Sequence, residues 1–244
     1  MRFVNTDKNS IMKINKTLVA ITGAGISAES GIKTFRDSDG LWENHDITEV
    51  ASPEGWQKNR ELVLEFYNQR RRQLHEVQPN KAHRILADLE QHFDVQIITQ
   101  NIDDLHERAG STNILHLHGE LFKSRSSNNS KYIYQQKDDI KIGDKAEDNA
   151  QLRPHIVWFG EDVPLIPKAA KLVSQADILL VIGTSMQVYP AAGLVNYISK
   201  DCQLIVINPD DTDYNFDKKA VHIKEKAVKG MEAIYKVLLE KNLK

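Results

Sequence analysis

Short apolar runs recur along this chain, separated by longer stretches in which apolar residues return every three or four positions. "TLVAIT" at 17–22, "DVQIITQN" at 94–101, "DILLVIGTS" at 177–185 and "QLIVINPD" at 203–210 are apolar on both faces and end in Gly, Ser, Thr, Asn or Asp. Runs of that kind predict strands of a parallel sheet covered by helices on both sides. Ligands in such sheets bind beyond the carboxyl ends of the strands, so the small polar endings all point to one crevice.

Two segments break the alternation. The first, "FRDSDGLWENHDITEVASPEGWQKNRELVLEFYNQRRRQL", carries turn signals and then a helical pattern at Leu62, Val63, Phe66 and Leu74. The second, "KSRSSNNSKYIYQQKDDIKIGDKAEDNAQ", is polar and poor in large apolar groups. Together they predict a smaller lobe, about 35–79 and 122–154, inserted into a sheet lobe of about 14–34, 80–121 and 155–244. No internal repeat or low-complexity tract is visible.

Composition narrows the classes. A chain of 244 residues with 41% hydrophobic content and a formal net charge of -2 is expected to be an ordinary globular protein, and that balance does not suggest nucleic-acid binding. Cys202 is the only cysteine, which leaves no disulfide framework and no multi-thiolate metal site, and fits a reducing, cytoplasmic setting. No stretch approaches the roughly 20 apolar residues needed to cross a bilayer, and the start of the chain lacks the apolar centre of a signal peptide. It reads as a polar tail.

Three stretches carry chemistry. "GAGISA", opening at Gly23, follows a strand as a GxGxxG/A turn does, and such glycines let backbone N–H groups approach a pyrophosphate. Alone it also fits a tight strand-to-helix turn that binds no ligand. A dehydrogenase would want an acidic strand end about 20 residues on, and "LWENHDITEV" does not look like one. In "TQNIDDLHERAG", Gln100, Asn101 and Asp103 stand where a buried strand leaves the sheet, able to grip sugar hydroxyls or a carboxamide, or simply to cap the next helix. In "ILHLHGEL", His116 and His118 are two apart and Gly119 places His118 at the strand exit. No further metal ligands follow at a standard spacing, so a single histidine acting as general base is the better reading.

"GAGISAESGIKTFR", "TQNIDDLHERAG", "HGE", "LRPHIVWFGE", "VIGTSMQVYPAAG" and "INPD" stand here in the order and spacing of the sirtuins, NAD-dependent protein lysine deacylases. The chain resembles that family from about Thr17 to its C-terminal helix, and most of all the bacterial, desuccinylase-like branch. The resemblance implies an α/β fold, a Rossmann-like parallel sheet with helices on both faces plus a smaller inserted lobe. It implies NAD as co-substrate, with Gly23, Ala24, Gly25 and Ser27 on the phosphates and Glu29 and Ile102 in the same cofactor-binding set. Thr34, Phe35 and Arg36 would then belong to a mobile loop that closes over the nicotinamide ribose. Gln100 and Asn101 would contact the ribose, Asp103 would hold the carboxamide, and Gly183, Thr184, Ser185, Asn208 and Ala227 would line the adenosine half.

By the family mechanism the acyl-lysine oxygen attacks the anomeric carbon and nicotinamide leaves. His118, with Asn101 as the other catalytic residue, then activates a ribose hydroxyl, and the products are free lysine and O-acyl-ADP-ribose. Val157, Trp158, Phe159 and Gly160 resemble the segment that takes the peptide as an added strand. Tyr67 and Arg70, three apart on one helical face, match the pair that recognises negatively charged acyl groups, whereas composition alone would make them part of a solvated cationic helix with Arg71 and Arg72. Most relatives carry four cysteines on a structural zinc, and this chain has none at 123–151, with Ser126 and Ala146 near the expected places. No zinc is expected, and "KYIYQQ" is expected to form a hairpin in its stead. Acylated proteins are the implied substrates and a monomer the expected state. An NAD glycohydrolase or ADP-ribosyltransferase, or a non-catalytic NAD-binding module, are the alternatives.

Overall fold

The computed structural model describes residues 15–33, 41–42, 45–210 and 220–242. The polar N-terminal tail and the loop residues Thr34, Phe35 and Arg36 lie outside the described residues. In chain order the elements are β1 (Thr17–Thr22), α1 (Ala24–Ala28), β2 (Leu41–Trp42), β3 (His45–Asp46), α2 (Ile47–Val50), α3 (Pro53–Lys58), α4 (Arg60–Glu76), α5 (Lys81–Leu89), β4 (Asp94–Thr99) and α6 (Leu105–Ala109). Then follow β5 (Ile114–His116), β6 (Gly119–Ser126), β7 (Ile133–Gln135), β8 (Leu152–Ile156), α7 (Ile166–Ser174), β9 (Ile178–Ile182), a 3-10 helix at Ala191–Tyr197, β10 (Gln203–Ile207), β11 (Val221–Ile223) and α8 (Ala227–Asn242).

Six strands form one parallel sheet in the order β11-β10-β9-β1-β4-β5. This is the doubly wound Rossmann order, and the direction of winding reverses between β1 and β9. Successive residues of β1 explain why its sequence is apolar throughout. Leu18 and Ala20 pack with Leu86, Leu89, Met231 and Ile234 of α5 and α8. Val19 and Ile21 pack on the opposite face with Ala169, Val173 and Leu194 of α7 and the 3-10 helix. Among the described residues no helix is long and apolar enough to cross a membrane.

The chain leaves this sheet twice. The first excursion builds β2 to α4, with α3 capped by Ser52, whose hydroxyl accepts from Gly55 N–H, and α4 capped by Asn59, whose side chain accepts from Leu62 N–H. The second builds a three-stranded antiparallel sheet in the order β7-β6-β8. "KYIYQQ" supplies β7, pairing Ser124 with Tyr134 and Arg125 with Ile133. Val63, Phe66, Tyr67 and Leu74 of α4 meet Leu121, Ile140, Ile156 and Trp158 in a third apolar core.

Polar contacts close this small lobe. Ser126 Oγ accepts from the backbone N–H groups of Asn128 and Asn129 at 3.1 Å each and donates to Asp148 Oδ2 at 2.6 Å, while Asp148 Oδ1 accepts from Ala150 N–H. Two facing turns are thereby tied together. Asn68 on α4 donates to the carbonyl of Ile140 and accepts from its N–H, each at 2.9 Å, in a buried site. The cations of α4 do not form one solvated face. Arg71 is fully buried, donating to the Leu121 carbonyl and to Asn68, and burial lowers its pKa to about 10, so it remains charged at neutral pH. Arg72 lies outside and pairs with Glu65 and Asp139.

Asn68 is therefore a single side chain on which two buried backbone groups and a buried guanidinium depend. Asn68→Ala is expected to lower the unfolding free energy by about 3 kcal/mol, because those groups lose partners without regaining water. Urea midpoints of wild type and variant measure this; a loss under about 0.5 kcal/mol, the size of an ordinary surface change, would contradict it.

Candidate active site

The crevice forms where the β1 and β9 exits meet. Gly23 N–H donates to Ile182 O at 3.0 Å and Gly25 N–H donates to Gly183 O at 2.9 Å. A Cβ on Gly23 would stand 2.6 Å from Thr184 Cβ, one on Gly25 would stand 2.7 Å from Gly183 Cα, and Gly183 itself has φ +60. The glycines are thus demanded by one turn lying on another. Gly25 gives its N–H to the protein, so phosphate approach is not the whole reason for the glycine spacing.

The end of β4 is stitched to this turn. Asn101 Nδ2 donates to Gly23 O and to Ser27 Oγ at 3.1 Å each, and Ser27 Oγ donates to Asp103 Oδ2 at 2.9 Å. Asp103 Oδ1 also accepts from the N–H of Leu105, the first residue of α6, so this carboxylate both bonds the helix start and faces Ser27. Burial raises the Asp103 pKa to about 6, against the two hydrogen bonds that favour its charge. Gln100 Nε2 donates to Thr184 Oγ1 at 3.1 Å, and Asn208 is buried beside the same loop, its amide 3.5 Å from Thr184 O. Ser185, half-buried, follows directly.

The two histidines have different surroundings. β5 ends at His116, and His118 stands in the turn before β6. His118 Nδ1 meets the Gln100 carbonyl at 3.1 Å, which assigns the proton to Nδ1 and the lone pair to Nε2. Burial holds its pKa below the usual value, so the ring is neutral at physiological pH. His116 faces Glu107 at 2.7 Å through Nε2 and the Asn101 carbonyl at 3.2 Å through Nδ1. Burial opposes its charge, but the Glu107 carboxylate outweighs that and raises its pKa. Among the described residues Glu107, His116 and Glu120 gather within ligand distance of one another, but His116 is already bonded through both nitrogens and Glu120 pairs with Lys123.

The remaining positions divide. Ile102 is half-buried against the small-lobe core, and its carbonyl accepts from Leu121 N–H. Glu29 accepts from Val228 N–H in the first turn of α8, and Ala227 packs its methyl into the sheet core, so both side chains serve α8. Val157 N–H donates to the His118 carbonyl at 2.9 Å, Trp158 N–H to Glu161 Oε2 at 2.8 Å and Phe159 N–H to Ala51 O at 2.9 Å. The N–H groups of Val157, Trp158 and Phe159 are therefore all bonded within the protein. Tyr67 is fully buried, and its hydroxyl accepts from Trp158 Nε1 at 3.1 Å; burial pushes the phenol pKa up. Arg70 is half-buried, with its guanidinium over the Phe66 ring at 3.2 Å and donating to the Phe66 carbonyl.

The small lobe does not fit a tetrahedral zinc. Residues 123–151 hold no thiolate or imidazole, and the Ser126 hydroxyl is occupied by Asp148 and two backbone donors.

Sequence reasoning passed over His83 and His106. Both are fully buried and their rings meet at 4.9 Å, with His106 Nε2 3.1 Å from Thr22 Oγ1 at the end of β1. Neither nitrogen of His83 has a protein hydrogen-bond partner. Each histidine sits at an ordinary apolar position of its helix, so nothing in the sequence marks the pair.

A glycine-locked crevice at the reversal point of a parallel sheet, lined by amides, a carboxylate and a neutral histidine, defines a dinucleotide-binding α/β enzyme. The profile of the Sir2 family matches residues 23–190. An NAD-dependent protein deacylase of Helicobacter pylori is 58% identical over 92% of this chain and 98% of its own length. Another, of Bacteroides thetaiotaomicron, is 50% identical over 92% and 98%. A solved Sir2 homologue in complex with NAD superposes with a TM-score of 0.82 at 39% identity, covering 93% of this chain and 90% of that one. The chain belongs to the Sir2 family.

The buried histidines predict acid sensitivity. Burial lowers the His83 pKa to about 4 from 6.5, and lowers that of His106 well below 6.5. The unfolded chain takes up protons near 6.5 that the folded chain refuses, so stability is full above that pH and falls as pH drops toward 4. His83 alone contributes a loss on the order of 3 kcal/mol across that window. Denaturation at pH 7.5 and pH 5 should show a smaller pH dependence for His83→Leu than for wild type; equal slopes would refute the assignment.

Proposed function

We propose that this chain, an NAD-dependent protein deacylase like the relatives it matches, removes acidic acyl groups such as succinyl and malonyl from lysine in preference to acetyl. It retains some acetyl activity and works without zinc. The observation that carries the reading is a short path through two residues: Val157 bonds the His118 backbone, and its neighbour Trp158 bonds the Tyr67 hydroxyl. The backbone of His118 and the phenol of α4 are thus linked through one dipeptide, which supports a reading in which an acyl-lysine extends from the one toward the other.

NAD, when bound, supplies an electrophilic ribose carbon and nicotinamide as leaving group. Through Ser27, Asn101 for the ribose and Asp103 for the carboxamide are fixed to one another before any ligand arrives. His118 is neutral and carries its lone pair on Nε2, the state needed to take a proton from a ribose hydroxyl. Arg70 brings a cationic fork and Tyr67 a hydroxyl for the acyl carboxylate. The products are free lysine, nicotinamide and O-acyl-ADP-ribose. An enzyme that only hydrolyses NAD would not need the acyl-pocket pair.

Matched acetyl- and succinyl-lysine peptides, assayed with chelated enzyme, test this. Succinyl turnover is expected to dominate. Arg70→Met removes a charge-assisted contact and lowers succinyl kcat/KM roughly 10- to 100-fold, with acetyl turnover far less affected. Nicotinamide release without turnover of either peptide would instead favour an NAD glycohydrolase. Separately, His118→Ala is expected to cut turnover at least about 100-fold while calorimetric NAD affinity stays within a few-fold. Because burial lowers the His118 pKa, the acid limb of wild-type kcat/KM should fall below pH 6.5; a limb above it would place the base elsewhere.

A further inference from the structure

Two residues before the proposed general base stands a histidine that no step of the reaction uses. His116 ends β5 with its side chain only 8% exposed, so its bonds are made to protein rather than to water. Its Nδ1 meets the Asn101 carbonyl at 3.2 Å and its Nε2 meets Glu107 Oε1 at 2.7 Å. Both partners are acceptors, and a neutral imidazole has a single N–H to give. Only the imidazolium satisfies both. Asn101 and Glu107 flank the segment that carries Ile102 and Asp103 from β4 into α6, so this one ring clasps that segment across its base.

The clasp complements the bond made by His118. His118 Nδ1 donates to the Gln100 carbonyl and Asn101 N–H donates to Thr99 Oγ1 at 3.0 Å, which together hold the peptide plane before Asn101. His116 holds the plane after it. With both planes held, the Asn101 amide stays on Gly23 O and Ser27 Oγ, and the Gln100 carbonyl stays facing the His118 ring. We infer that His116 is a positioning residue for deacylation: by bridging Glu107 and the Asn101 carbonyl it sets the orientation of Asn101 and, through the Gln100–Asn101 peptide, that of His118. It acts through those two residues and not on the substrate. The inference rests on the assignment of His118 as general base.

Two swaps separate the bonds of His116. In His116→Asn the amide nitrogen takes the place of Nδ1 and keeps the Asn101 carbonyl, whereas in His116→Gln it takes the place of Nε2 and keeps only Glu107. Each swap loses one hydrogen bond, so the two urea midpoints should fall by comparable amounts. Turnover is read at saturating NAD on whichever of the acetyl- and succinyl-lysine peptides the wild type processes faster. His116→Gln is expected to lose roughly 10- to 100-fold in kcat, the scale of a small misplacement of catalytic groups, with peptide KM within about threefold of wild type. His116→Asn should recover most of that loss. Equal kcat losses in the two swaps, kcat losses that follow the urea midpoints, or full kcat in His116→Gln would overturn the inference. Should the swaps fail to fold, Glu107→Ala, at a side chain 41% exposed, frees the outer end of the clasp and is expected to lower kcat about 3- to 10-fold at unchanged peptide KM; wild-type kcat there would overturn it equally. Failure of the underlying reading shows separately, as His118→Ala enzyme that keeps wild-type turnover, and would overturn both.

Discussion

The close approach of the turns after β1 and β9 governs this molecule. Gly23 and Gly25 lie against Gly183 and Thr184 with no room for a Cβ, and their N–H groups bond the exit of β9. Because winding reverses between these two strands, the contact draws the floor of the crevice together at the one place where a parallel sheet opens to a ligand. Everything in the site hangs from it: Asn101 reaches Gly23 and Ser27, Ser27 reaches Asp103, and Gln100 reaches Thr184. One steric constraint thereby sets the positions of four polar side chains.

The small lobe follows a different logic. It lacks thiolates, and its two facing turns are joined by the Ser126 hydroxyl and the Asp148 carboxylate. Its attachment to α4 uses buried polar groups, Asn68 and Arg71, rather than apolar contact alone. Such groups are costly to bury unless every partner is present, and for that reason they specify one arrangement. The same helix carries Tyr67 and Arg70, so the scaffold that closes the lobe also sets the height of the proposed acyl pocket.

Legibility differed by element. The four strand signals at 17–22, 94–101, 177–185 and 203–210 each fall on a strand of the sheet, because burial on both faces leaves a run of apolar residues whatever the neighbours. Gly119 suggested a strand running to His118, whereas β5 ends at His116, His118 stands in the turn and Gly119 opens β6. β11 was not visible, being three half-exposed residues at an edge. The tie of Glu29, at the end of α1, to the first turn of α8 was not legible, since its contact with Val228 spans 199 residues.

By itself the sequence determined the alternation of strands and helices, the polar strand ends, the absence of thiolates and the family motifs, all of which are local properties of composition and spacing. The tertiary structure alone decided which cation of α4 is buried and which histidine carries a free lone pair. Those outcomes depend on partners that folding brings together, Leu121 50 positions from Arg71 and Gln100 18 positions from His118, or on which side of a helix meets a core. A side chain's charge state and orientation are set by its surroundings, and surroundings come into being only when the chain has folded.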